Sequence, residues 1–323
     1  MSIELINPKN KLPLKLTGAN FVDASGNKFP LVKGVLRISY EDNYADSFGM
    51  QWNKFDKTQL DREEVGHIVS RQRFFAETKW DTQDLTGKNV LEVGSGAGRF
   101  SKVVLESTLA NLYSIDYSDS VTANFKNNSS IAGDRLNLFQ ASIYEMPFPD
   151  NSFDKVFCLG VLQHTPNFED SVSALISKAK PGGEIVVDFY PINGWWTKIN
   201  AKYMLRPAFK RFDHNRLMQM VEANIGWLMK AEALLHNLRL GVLARFLPIV
   251  DIKGTLPKYL SEAEQREWAI LDTFDMFSPE YDNPQRINNV ASMFERNGAD
   301  VTFAGFEHFE GFSAAVVRGI KRA

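Results

Sequence analysis

A single cysteine, Cys158, stands among the 323 residues. It excludes a disulfide within the chain and a zinc site built from several thiolates, and it suits a reducing, cytoplasmic setting. Charge of one sign is also lacking. The 37 Lys+Arg against 39 Asp+Glu leave a formal net charge of −2, so no chain-wide field points to a nucleic-acid partner. No uncharged apolar run reaches about 18 residues, and no transmembrane helix is expected. Met1 to Asn10 is polar and has no apolar stretch of the secretory-signal kind. Internal repeats and low-complexity tracts are missing too. The length suffices for one large domain with additions, or for two domains.

What is there is a change of pattern along the chain. Residues 1–39 read as a small β-rich element, with a turn at Ala24-Ser25-Gly26-Asn27 and an extended Phe29-Pro30-Leu31-Val32. Residues 40–87 place Tyr44, Phe48, Trp52, Phe55, Leu60, Phe74 and Phe75 at mostly helical spacing, which predicts helices packed on the next domain. From Lys88 apolar runs recur at Val90–Val93, Leu112–Ile115, Leu136–Phe139, Val156–Leu159 and Ile185–Val187, mostly with helical segments between. That alternation predicts a doubly wound α/β fold with a mostly parallel sheet. Asn167, with Asp170 three residues on, caps a helix that Pro181-Gly182-Gly183 stops. Asn283-Pro284 starts another, which Gly298 ends. Val301–Phe306 and Ser313–Val317 read as closing strands. Residues 191–283, with Trp195, Trp196, Trp227 and Trp268, show no strand pattern and read as a helical insertion. It leaves the sheet at the carboxyl end of a strand, where ligands of such sheets bind, and so reads as a lid or substrate domain.

Lys88 to Phe100 reads KNVLEVGSGAGRF, a glycine loop between a strand and a helix. Such a loop brings backbone N–H groups and a helix N-terminus to a ligand. A dinucleotide fingerprint needs a small residue where Arg99 stands, and a P-loop needs a Gly-Lys-Ser/Thr that does not follow. What remains is Glu92-x-Gly94-x-Gly96-x-Gly98. Further on, the strand Leu112–Asp116 ends in an acid. Then come Met146-Pro147-Phe148-Pro149-Asp150-Asn151-Ser152-Phe153-Asp154, Gly160-Val161-Leu162-Gln163-His164-Thr165-Pro166 and Lys180-Pro181-Gly182-Gly183-Glu184.

These five motifs, in this order over residues 86–190 and again near 284–318, resemble the small-molecule (type 11-like) branch of the class I S-adenosylmethionine-dependent methyltransferases. The resemblance implies a Rossmann-like, seven-stranded sheet formed by residues 88–190 and 284–323, and S-adenosylmethionine as cofactor with no metal. It implies cofactor contacts at Glu92, Gly94, Ser95, Gly96, Gly98, Asp116, Tyr117, Ser142, Ile143 and Gly160. Asp116 would accept both ribose hydroxyls through charge-assisted hydrogen bonds, and Tyr117 would cover the adenine. The competing reading of Asp116 is a cap for the segment from Ser118. Ser142 stands where the family often has an acid for the adenine amino group, which is a weaker acceptor. The stretch Phe21–Val35 is similar to the later half of a zinc-ribbon-like domain found ahead of some methyltransferases, with Val22 and Ser25 in place of its cysteines, so a metal-free remnant is expected. Asn43–Trp52 is similar to a segment ahead of the same catalytic domain, whose aromatics would close over the cofactor or simply pack.

Methyl transfer asks mainly for alignment and exclusion of water, with a base only for a weakly acidic acceptor. His164 is the first candidate base, its alternative being a loop histidine that orders the turn before Pro166. Tyr190, Tyr281 and Asp188 follow, and Asp188 has the alternative of pairing with a neighbour. Leu159-Gly160 and Asp188-Phe189 lack the acids of metal-dependent relatives. The Asp/Asn-Pro-Pro-aromatic signature of base-amino methyltransferases is absent as well. Lys198, Lys202, Arg206, Lys210, Arg211 and Arg216, opposed by Asp213, either bind an anionic group or form a solvated helix face. The expected function is methyl transfer to a small molecule or saccharide, at oxygen. The alternatives are an RNA or protein acceptor, or a non-catalytic scaffold, and assembly into a homo-oligomer is left open.

Overall fold

The structure is a computed structural model that describes residues 3–39, 43–257 and 259–323. Residues 40–42, where the sequence places the start of the helical segment, lie outside the described residues. One sheet of eleven strands runs through the described chain. Its first four strands are short: β1 Lys15–Thr17, β2 Asn20–Val22, β3 Lys28–Val32 and β4 Val35–Arg37. Helices α1 (Asp46–Lys54) and α2 (Val69–Thr78) follow. The alternating part then comprises β5 Asn89–Val93, α3 Arg99–Ser107, β6 Asn111–Asp116, α4 Val121–Ala132, β7 Leu136–Gln140, β8 Phe153–Cys158, α5 Phe168–Lys178 and β9 Ala179–Phe189. The insertion holds α6 Ala201–Phe209, α7 His214–Asn237, α8 Gly241–Ala244, α9 Ile252–Thr255 and α10 Glu262–Phe277. Helix α11 (Ile287–Arg296) and the hairpin β10 Ala299–Phe309, β11 Phe312–Lys321 close the chain.

The strand order is β1-β2-β3-β4-β7-β6-β5-β8-β9-β11-β10. The seven strands from β7 to β10 are the expected Rossmann-like core, parallel except for the closing hairpin. The four others correct the expected strand count. Val35 to Arg37 pair in parallel with Leu138 to Gln140, so the N-terminal element continues the sheet. The turn at its tip is ordered by a carboxylate: Asp23, buried, accepts from the side-chain amides of Asn7, Asn10 and Asn27 and from the backbone N–H groups of Ser25 and Asn27, at 2.6–3.0 Å.

Period-two alternation divides the core residues between the two faces. Val90, Leu112, Phe157, Val186 and Val316 pack with Phe74, Phe100 and Val104 of α2 and α3. Their neighbours Leu91, Tyr113, Val156, Ile185 and Val317 pack with Phe168, Val172, Val290 and Phe294 of α5 and α11. Burial of each such large side chain contributes about 1.5–3 kcal/mol. The insertion has a core of its own, centred on Leu217, Ile225, Trp268 and Phe274, and Phe55 and Trp52 join it from the α1 region.

Helix ends follow the predicted caps in part. The Asn167 side chain accepts from the N–H groups of Glu169 and Asp170 at 3.1 and 3.3 Å. Pro181-Gly182-Gly183 does not stop α5, which ends at Lys178; it lies within β9, where a Cβ on Gly183 would stand 2.9 Å from the Lys180 carbonyl and 3.1 Å from that of Asp154. Asn283-Pro284 does not start α11. Asn283 is tied back to the His164 turn, its N–H to the Gln163 carbonyl at 2.7 Å and its amide to that of Thr165 at 2.8 Å. Gln285 N–H bonds the Tyr190 carbonyl at 3.0 Å, and the helix begins two residues later. The closing strands run longer than predicted because they pair with each other and with β9.

Candidate functional site

A cavity of about 770 Å³ opens where Val93, Asp116, Gly160 and Tyr190 mark the carboxyl ends of β5, β6, β8 and β9. One end is formed by the glycine loop. Gly94, Gly96 and Gly98 all have positive φ, a conformation that favours glycine. Asp116 spans the loop and the next turn: Oδ2 accepts from Gly96 N at 2.9 Å, and Oδ1 accepts from Ser118 N and Oγ, both at 2.8 Å. Asp116 thus lines the cavity while ordering the turn from Ser118. Burial raises its pKa against the pull of these donors. The Trp52 indole covers the loop, with Nε1 3.1 Å from where a Gly96 Cβ would stand. Tyr44 rests on Tyr117 with ring centroids 5.0 Å apart. The aromatics of Asn43–Trp52 therefore form one wall.

Two polar groups at this end have no hydrogen-bond partner among the described residues. Gln51 is fully buried, with both amide atoms unpaired, and Ser95 is buried with its hydroxyl unpaired. Both line the cavity. Buried polar groups are normally satisfied, so this end of the cavity is built for a ligand with several polar groups of its own.

The other end combines β9, the His164 turn and the insertion. His164 Nδ1 lies 3.1 Å from the Tyr281 carbonyl, which only accepts, so the proton sits on Nδ1 and Nε2 keeps its lone pair. Burial lowers the His164 pKa and keeps the ring neutral. Tyr190 donates to Asp275 Oδ2 at 3.3 Å, and burial holds its pKa well above the usual value, so it is a donor and a poor base. One turn earlier, Asp272 accepts from Trp268 Nε1 at 3.0 Å and Gln59 Nε2 at 3.2 Å. Burial, and then the charge of Asp275, push its pKa up to about 7.

Of the expected site residues, Gly94, Ser95, Gly96, Asp116, Tyr117, Ile143, Gly160, His164 and Tyr190 line the cavity. Four do not. Glu92, 1 % exposed, is turned beneath the loop and accepts from the hydroxyls of Ser101 and Ser114 (2.7 Å for the latter); burial raises its pKa to about 7. Gly98 faces α4, where a Cβ would meet Asn124 and Asn128 at 2.3 Å. Ser142 Oγ accepts from Tyr144 N at 3.3 Å within its own turn. Tyr281 offers its carbonyl to His164 and its ring to Tyr44, 5.5 Å away. Asp188 does pair with a neighbour, Arg73, and also accepts from Gly160 N. The basic run is partly neutralised: Lys202 and Arg206 face Asp282, and Lys210 faces Glu280 at 3.2 Å.

Sequence reasoning missed Gln51, Arg73, Asp272 and Asp275. For the last two a signal existed: acids three apart among Trp268, Leu271 and Phe274, on the apolar face of a helix.

Residues 91–187 match the family described as "Methyltransferase domain". The chain is 26% identical over 150 residues to a tRNA U34 carboxymethyltransferase of Nautilia profundicola, covering 46% of this chain and 48% of that protein. It is 33% identical over 99 residues to a sterol 24-C-methyltransferase of Pneumocystis carinii, covering 30% and 26%. The match thus spans about half the length of the first relative and a quarter of the second. Among solved structures it is similar to the magnesium protoporphyrin IX methyltransferase of Synechocystis PCC 6803 with bound SAH, at 14% identity and a TM-score of 0.46, covering 87% of this chain and 97% of that one. With the glycine loop and the strand-end acid inside it, residues 91–187 are a methyltransferase domain of the S-adenosylmethionine-dependent kind.

Proposed function

We propose that this protein transfers a methyl group from S-adenosylmethionine to an oxygen of a small-molecule or saccharide acceptor. The observation that carries the reading is one cavity, within the roughly 300–1,000 Å³ of small-molecule sites, with the glycine loop at one end and acidic, hydroxyl and imidazole groups at the other. Asp116, Ser95 and Gln51 fit the cofactor: a carboxylate for the ribose diol, and a hydroxyl and an amide that lack partners among the described residues. The bound cofactor supplies an electrophilic methyl on a sulfonium with a neutral leaving group. Helix α1 and the insertion supply walls of the cavity, and an acceptor seated between them displaces water from the reacting atoms, which favours displacement. His164 Nε2 takes the proton of an acceptor hydroxyl, its tautomer fixed by the Tyr281 carbonyl. Asp272 and Asp275 accept hydrogen bonds from further hydroxyls and orient the acceptor.

The named relatives act on tRNA and on sterols. The near-neutral charge and the small-molecule size of the cavity favour the smaller acceptor. The test has two stages. Calorimetric titration with S-adenosylhomocysteine shows one site, weakened at least roughly tenfold by Asp116→Asn, because one charge-assisted acceptor is lost. Transfer of labelled methyl from S-adenosylmethionine is then compared between a glycan and metabolite panel and total RNA. Binding without transfer to the panel, but with transfer to RNA, overturns the acceptor class. No binding by the folded protein overturns the transferase reading.

A further inference from the structure

The insertion carries an apolar surface that its own core does not use. Trp195 is 80 % exposed and Val242 77 %, the two most exposed large apolar side chains among the described residues. They lie far apart in sequence, on two segments that the fold ties together. Arg245, just after α8, donates to the Trp196 carbonyl at 2.8 Å and accepts from Ala201 N at 2.9 Å, locking the tryptophan turn onto the α8 segment. Trp196, Ile199, Leu243 and Phe246 of the same two segments are also exposed, and Leu238 and Leu240 lead into α8. Scattered exposed apolar residues need no explanation, but a continuous patch marks a binding surface.

The charge around the patch says what it binds. Residues 191–250 hold nine Lys and Arg against three Asp and Glu, in a chain whose net charge is −2, and six of the nine remain once Lys202, Arg206 and Lys210 are set against Asp282 and Glu280. Lys198, Lys230 and Arg239 are exposed on these segments. Tryptophans and aliphatic side chains beside lysine and arginine are the composition of a surface that lies in the headgroup region of an anionic bilayer. No helix among the described residues is long and apolar enough to cross a membrane.

The tryptophan turn also contributes to the cavity wall. Along the same turn, Asn193, Thr197 and Asn200 line the cavity, while Trp195, Trp196 and Ile199 are exposed. We propose that the Trp195–Phe246 surface seats the protein on an anionic lipid bilayer and so brings the cavity to an acceptor carried by that bilayer. The second half of this statement rests on the transferase reading; the seating does not.

The test is co-sedimentation of the full chain with vesicles of phosphatidylcholine, with and without phosphatidylglycerol. The wild type is expected to pellet with the phosphatidylglycerol vesicles and, roughly tenfold less, with phosphatidylcholine alone. The double variant Trp195→Ser, Val242→Ser should lose at least about tenfold of the binding, and Lys198→Glu, Arg239→Glu should remove the preference for the anionic lipid. Binding of S-adenosylhomocysteine by both variants, equal to wild type, shows that they are folded and keeps this test separate from the transferase reading. A wild type that stays in the supernatant with the anionic vesicles overturns the proposal. So does a concentration-dependent dimer that the serine variant abolishes while vesicle binding is nil, since a second copy of the chain then covers the patch.

Discussion

Arg73 is a side chain on which the wall of the cavity depends. Its Nε donates to Glu77 at 2.8 Å, and its Nη2 pairs with Asp188. Both carboxylates are removed from water, the Glu77 side chain completely and that of Asp188 to 4 % exposure, while the arginine keeps 21 %. Asp188 in turn accepts from Gly160 N and so holds the loop after β8 at the cavity. The substitution Arg73→Met keeps the packing on Phe100 but leaves two buried acids without a cation. Removing one partner of a buried ion pair costs about 3–5 kcal/mol, against about 0–1 kcal/mol for an exposed pair. The loss should also depend on pH. Burial outweighs the attraction of Arg73 and raises the Glu77 pKa to about 8, above the roughly 4.3 of an unfolded glutamate. For an acid raised in the folded state, stability is greatest below the unfolded value and falls as pH rises through the folded one. Without Arg73 the folded pKa rises further, so the variant should be least stable in alkaline solution. Urea unfolding near pH 6 and near pH 9 measures both effects. Adding Glu77→Gln should recover part of the alkaline loss. A loss below about 1 kcal/mol at both pH values would refute the reasoning, because the triad would then behave as a surface pair.

Asp23→Ala should unfold the tip of the N-terminal element while the core persists, read as amide exchange lost across residues 7–27 alone. The Asn27, Asn7 and Asn10 amides lower the Asp23 pKa against the effect of burial, so wild-type protection there should fade only as pH drops below about 3.9, the unfolded value, towards the depressed folded one. Glu92→Gln should raise the melting temperature above neutral pH and lower it little below pH 5, since the wild-type acid, raised to about 7, costs stability as pH climbs from about 4.3; equal melting curves at alkaline pH would refute the burial argument. Gly98→Ala should destabilise by more than about 1–3 kcal/mol, because a positive φ and a 2.3 Å clash with Asn124 and Asn128 add. Gly182→Ala meets nothing within 4 Å and should cost about 1–2 kcal/mol from backbone strain alone.

The strands of the core were legible because each carries an apolar run whose alternate residues serve opposite faces, as Val90 and Leu91 do. The glycine loop was legible because its conformation admits few other residues. The first strands were read as a separate element for the same physical reason that they are short: β1 is exposed throughout, and nothing in Lys15–Thr17 announces the pairing that β4 makes with β7. That pairing is tertiary. The same distinction runs through the site. Gly94, Ser95, Gly96 and Asp116, which the family resemblance implies as cofactor contacts, come from one local strand-turn-helix unit and its neighbour, and all four line the cavity. Gln51, Arg73, Asp272 and Asp275 come from helices that approach from other parts of the chain, and no spacing to the glycine loop marks them.

The Asp23 turn is held by hydrogen bonds to a single carboxylate. Where the sequence suggests a zinc-ribbon half without its cysteines, the structure has a carboxylate that gathers five N–H donors. A metal holds such a turn by accepting electron pairs from thiolates. Asp23 holds it with the opposite sign, as the acceptor of hydrogen bonds from three asparagines and the backbone. The asparagines at 7, 10 and 27 are therefore part of the centre, and the turn should be indifferent to chelators and sensitive to acid. Retention of the amide protection of residues 7–27 in excess EDTA, with its loss near pH 2, would bear this out. Loss in EDTA at neutral pH would show that a metal still holds the turn.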